Sequence, residues 1–137
     1  MAVGSPYYGD TGRVQVFDYQ KNLRQWKSFD GDNAMISSGE HNDTSGKGFA
    51  VAFDKSGQRL AVVSSGNADH HAHVMVYTRK NATHFEELGQ PIHALGDDLD
   101  HMGHRIQMSG DGTTLAIAAR FRAKNVSSYT QVYRYSD

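Results

Sequence analysis

The chain has 137 residues, with 14 basic and 15 acidic side chains, a formal net charge of −1 and no cysteine. That length supports one ordinary domain. The near-cancelling charge leaves no basic surplus for nucleic acid and no acidic tail, and the absence of cysteine excludes disulfides, thiolate metal sites and cysteine nucleophiles.

The first element is MAVGS at 1–5, a short run of small apolar residues that reads as a strand. The opening ten residues lack the basic start and apolar core of a signal peptide, so a targeting segment, if there is one, lies outside these residues. VQVFDY at 14–19 follows, with Val14 and Val16 opposed to Gln15 and Phe17 in the period of two that a half-buried strand requires. An aromatic segment around Trp26 and Phe29 comes next.

GFAVAFDKSGQR at 48–59 begins a new unit, in which Val51 and Phe53 alternate with Ala50 and Ala52. Ser56-Gly57 then supplies the positive φ of a two-residue hairpin turn. LAVVS at 60–64 is apolar throughout, as expected of a strand covered on both faces. VMVYTR at 74–79 is the next strand. FEEL at 85–88 is stopped by Gly89 and Pro91 before a helix can form, and reads as a turn into a fourth strand near 90–94. The third unit repeats the order: GHRIQMSGDGTT at 103–114 with an Asp111-Gly112 turn, LAIAA at 115–119, and TQVYRY at 130–135.

These segments recur in register. The MAVGS, LAVVS and LAIAA starts lie 59 and 55 residues apart, the three Val-aromatic strands 60 and 56, the two glycine-led strands 55, and the Trp26 and Phe85 stretches 59. Four segment families sharing one period define a sequence repeat. With strands lettered A to D, the chain runs B-C-D, A-B-C-D, A-B-C.

The fold class expected is therefore all-β: a partial β-propeller of four-stranded antiparallel blades repeating every 55–60 residues. Residues 1–45 make a partial blade, 46–102 a complete one and 103–137 a second partial one. A propeller closes with about four to eight blades. These residues therefore read as a segment of a longer chain, or as one of several copies that close a ring together. Trp26 and Phe85, recurring in register, are expected in the core.

The run at 103–119, with its preceding Asp100-x-x-Gly103 and following Val-Tyr strand, resembles the FG-GAP repeat of integrin-α-like β-propellers, especially the variant of large protist, algal and bacterial extracellular proteins. Asp43 with Gly46, Gly12 with Val14, Val16 and Phe17, and the aromatics Trp26 and Phe85 fit the same pattern. The resemblance implies a propeller with an adhesive role. It does not bring calcium with it: the D-x-D-x-D-G-x-x-D loop is missing, and Asp30-Gly31-Asp32-Asn33 and Asp97-Asp98-Leu99-Asp100 are wrongly spaced.

Three sequons, Asn42 (NDT), Asn81 (NAT) and Asn125 (NVS), exceed the roughly one expected by chance and point to N-linked glycans on exposed loops of an exported protein. His71 and His73 are the candidate metal pair, since imidazoles two residues apart on a strand share a face; a tetrahedral site would need further ligands. Asp97, Asp98 and Asp100 with His101 and His104 read as a blade-to-blade loop in which Asp43 and Asp100 close Asx-type turns. Ser109-Gly110-Asp111-Gly112 lacks the Lys-Ser/Thr of a phosphate loop. No apolar run reaches the about 18 residues of a membrane span.

The functional expectation is a non-enzymatic structural or adhesive module, without cofactor, in an extracellular or cell-surface assembly. Its partners are other blades of the same chain or neighbouring subunits. The alternative is a glycan- or ligand-binding propeller, enzymatic or not, whose site is formed by blades outside these residues.

Overall fold

The computed structural model describes residues 1–9, 12–32, 35–36, 47–64, 72–81, 84–93, 101–120 and 128–136. Among these there is no helix. Twelve strands form three antiparallel sheets. The first sheet holds β1 (Ala2–Ser5), β2 (Arg13–Gln20), β3 (Gln25–Asp32) and β4 (Met35–Ile36); the middle one β5 (Lys47–Phe53), β6 (Arg59–Ser64), β7 (His73–Arg79), β8 (Phe85–Glu87) and β9 (Ile92–His93); the third β10 (His101–Met108), β11 (Thr114–Arg120) and β12 (Tyr129–Arg134). Among the described residues no helix is long and apolar enough to cross a membrane.

The sequence repeat is also a repeat of register. Ala2 pairs with Val16, Ala61 with Val76 and Ala116 with Val132, so these three pairs occupy one slot in successive sheets. Even the irregularities recur. Lys47 pairs with Ser64 but Val51 with Val62, four steps along β5 against two along β6. Met102 pairs with Ala119 but Arg105 with Ala118, three steps against one. Both β5 and β10 therefore bulge by two residues at the same repeat position.

The period-of-two alternation decides which sheets touch. Val51, Phe53, Leu60, Val62, Met75 and Tyr77 leave the middle sheet on one side and pack with Val14, Val16 and Ala2 of the first. Ala50, Ala52, Ala61, Val63, Val74 and Val76 leave on the other side and pack with Met102, Met108, Leu115, Ile117 and Ala119 of the third. The middle sheet is thus covered on both faces, and β6 is buried from Leu60 to Ser64. The same strand type is covered on one face only at either end of the stack: β11 alternates buried Leu115, Ile117 and Ala119 with half-buried Ala116 and Ala118. The sheets approach one another along their first strands, with β5 between β1 and β10.

Three expectations are corrected. The turns at Ser56-Gly57 and Asp111-Gly112 are not two-residue hairpins. The amide of Asp54 donates to the Arg59 carbonyl and that of Gly57 to the Asp54 carbonyl, leaving 55–58 as a four-residue loop; Ser109, Gly112 and Thr114 repeat the pattern. A two-residue type I′ turn needs positive φ at both central residues, whereas here only Gly57 (φ 72°) and Gly112 (φ 71°) supply it.

The segment at 85–87 is a strand, not a turn. Phe85 pairs with Arg79 and Glu87 with Tyr77, after which β9 resumes along the same edge of β7, with Ile92 opposite Val74. The fourth strand is therefore one ladder interrupted at Gly89–Pro91, and the first sheet interrupts it likewise between β3 and β4. Finally, Phe85 is packed at the core, 6.2 Å from the Phe53 ring, but Trp26, in the same slot of the first sheet, is 54% exposed. Among the described residues no sheet covers that face.

Candidate functional site

The polar chemistry of the described residues gathers at the turns between the first two strands of the middle and third sheets. In the middle sheet the Asp54 carboxylate accepts the Ser56 hydroxyl and the amides of Gln58 and Arg59, at 2.9 and 3.1 Å. In the third sheet the two residue types change places. Ser109 donates its hydroxyl to Asp111 and accepts the Thr114 amide at 2.9 Å, while Asp111 accepts the amide and hydroxyl of Thr113 at 3.0 and 2.9 Å. Either order closes the same two amides of the loop with one Ser–carboxylate pair. These groups bond within their own turns.

Burial alone would push the Asp54 carboxyl up, but its hydrogen bonds from Ser56, Arg59, Gln58 and Gly57 outweigh that and hold it below the usual range. The Ser109 hydroxyl and the Thr113 amide and hydroxyl pull Asp111 down to about 2. A carboxylate depressed in the folded state adds stability that is complete above its unfolded pKa and disappears as pH falls through the folded one. The urea midpoint is therefore expected to be flat above about pH 5 and to drop steadily toward pH 2. Asp111→Asn should lower the neutral plateau and flatten this acid limb; an unchanged limb in the variant would refute the assignment.

The neighbouring turns are tied together. The amide of Lys55 donates to the Gly110 carbonyl at 3.1 Å. Arg59 donates to the Gly112 carbonyl at 2.9 Å while its guanidinium lies 4.6 Å from the centre of the Tyr135 ring. Between the first and middle sheets, Arg79 holds both carboxylate oxygens of Asp18, at 3.3 and 2.5 Å.

Of the candidate metal pair, His71 lies outside the described residues. His73 opens β7 half-buried, and its neighbour is one that local sequence spacing does not reveal: His93 sits opposite it on β9, the rings 5.9 Å apart. Among the described residues no third His, Cys, Asp or Glu joins them. Asp43, Asp97, Asp98 and Asp100 lie outside the described residues, as does the His101 side chain; His104 is exposed, its ring 6.4 Å from Phe49.

Of the sequons, Asn42 and Asn125 lie outside the described residues. Asn81 is exposed in the tight connection from β7 to β8, where its carbonyl accepts from Arg79 Nε at 3.2 Å and the Lys80 amide donates to the His84 carbonyl. The other exposed feature is aromatic: Trp26 on β3 stands opposite Tyr19 on β2, ring centres 5.3 Å apart and tilted by 56°. No family model and no curated protein matches this chain.

Proposed function

We propose that the chain is a non-enzymatic structural or adhesive module of an extracellular or cell-surface assembly, its sheets being successive blades of an FG-GAP-like β-propeller completed by further blades of the same chain or by neighbouring subunits. The observation that carries this reading is the repetition of register, bulge and turn in sheets stacked face to face along their first strands. Blades of a propeller are related in this way. The resemblance at 103–119 supplies the family, and the exposed hairpin position of Asn81 suits a glycan acceptor on an exported protein.

Glycosylation tests the location. Protein recovered from its native source is expected to carry an N-glycan on Asn81, lost with a corresponding mass decrease in Asn81→Gln. Intact-mass analysis showing Asn81 unmodified in native material would remove the support for export.

A further inference from the structure

The stack has two ends, and the repeat says what each end is shaped to meet. The free face of the first sheet corresponds, slot by slot, to the face that the middle sheet lays on the first. Val3 stands where Val62 does, and Tyr19 and Trp26 where Arg79 and Phe85 do. The free face of the third sheet corresponds to the face that the first sheet presents to the middle one. There Ala116 stands where Ala2 does, Val132 where Val16 does, and Arg134 where Asp18 does. The same slots are closed inside the stack and open at its ends: Val62 is 1% exposed and Val3 42%, Val16 3% and Val132 67%.

We propose that these two faces bind each other, head to tail, between copies of this chain. Each face presents half of an interface that the molecule already makes twice within itself. Beside the third sheet lies a depression of about 540 Å³, floored by Ala116 and Ala118, flanked by Arg105 and Thr130 and bounded on its other side by Ala50 and Val51 of the middle sheet. The first sheet offers the projecting residues Val3, Tyr19 and Trp26, all exposed.

The charged slot is complementary as well. Between the first and middle sheets it holds the Asp18–Arg79 ion pair. Between copies it would bring the exposed Arg134 of one chain to Tyr19 and Trp26 of the next, a cation over aromatic faces. Such contacts are heterologous, so they close into a ring or run on as a filament. The ring rests on the propeller reading, whereas the docking rests only on the repeat.

Sedimentation of the intact chain over a concentration series is the test, with Trp26→Asp closing one face and Val132→Asp the other. The wild type is expected to associate, and each variant alone to associate about tenfold or more weakly, as befits loss of a central anchor. An equimolar mixture of the two variants should regain a 1:1 complex, because each keeps the face the other lacks. Because the chain has no cysteine, Val3→Cys and Val132→Cys proteins give a second readout with a bismaleimide. Cross-links are expected only in the mixture of the two, joining position 3 to position 132. A wild type that stays monomeric at the highest attainable concentration, including one whose Trp26 emission instead responds to oligosaccharides, overturns the docking. So does cross-linking of either cysteine variant with itself. Head-to-tail oligomers longer than a closed ring would uphold the docking and count against the propeller.

Discussion

Gly103→Ala is expected to lower the free energy of unfolding by about 2–5 kcal/mol, the sum of a backbone and a packing cost. Gly103 lies in the bulge of β10 with φ at 76°, in the left-handed region that costs a side-chain-bearing residue roughly 1–2 kcal/mol. A Cβ there would stand 2.4 and 2.6 Å from the two γ-carbons of Val63. Val63 has no room to yield: it is fully buried between the middle and third sheets, and its branched Cβ fixes χ1. Overpacking of this kind adds about 1–3 kcal/mol.

Gly57→Ala separates the two costs, because φ is 72° there but nothing lies within 4 Å of the added methyl. Urea unfolding should show Gly57→Ala losing only the backbone share. Val63→Ala should recover part of the loss in the Gly103→Ala background, as expected for residues in contact. Equal losses at Gly57 and Gly103 would show that the close approach to Val63 is not a constraint.

The strands were legible because a repeat states each one more than once, and because burial on alternate faces imposes a period of two. Val51 and Phe53 do part from Ala50 and Ala52, going to opposite clusters. What escaped was set by partners distant in sequence. Phe85–Glu87 has two glutamates in three residues and little apolar signal, since it is an edge strand with both glutamates exposed. Only its ladder to β7 defines it.

The sequence pairs His71 with His73, within one strand. The partner found is His93, placed by the interruption at Gly89–Pro91, and no local periodicity encodes that register. Trp26 occupies the slot that the repeat predicts but not the buried environment. A repeat specifies which face a residue occupies, while the presence of a neighbouring sheet decides whether that face is covered. The length of the turns is not legible either, because Ser-Gly and Asp-Gly suit a two-residue hairpin as well as the end of a longer loop. D-x-S-G and S-x-D-G look unlike one another, yet the exchanged serine and aspartate close the same amides.

Leu60→Ala should cost about 2–5 kcal/mol, the range for truncating a buried leucine whose surroundings cannot collapse. Leu60 has no exposed surface and belongs to the cluster in which Val14 and Val16 of the first sheet meet Val62, Met75 and Tyr77 of the middle one. Its backbone is fixed from both sides, by Phe53 on β5 and Tyr77 on β7. The strand therefore cannot move into the space left behind. Because this cluster joins the first sheet to the rest, the loss should also appear as decoupling. Amides of β1 and β2 are expected to exchange faster than those of β10 and β11 in the variant, whereas in the wild type they should be released together.

Val132→Ala is the counterpart, since it truncates a residue of the equivalent face where no sheet covers it. For the isolated chain its effect should stay within about 0.5 kcal/mol. If copies dock head to tail, that small cost becomes concentration-dependent: stability measured at high protein concentration should fall more in Val132→Ala than stability measured at low concentration, because the wild type alone would gain fully from association. The contrast between Leu60 and Val132 thus separates what the repeat contributes within one chain from what it contributes between chains.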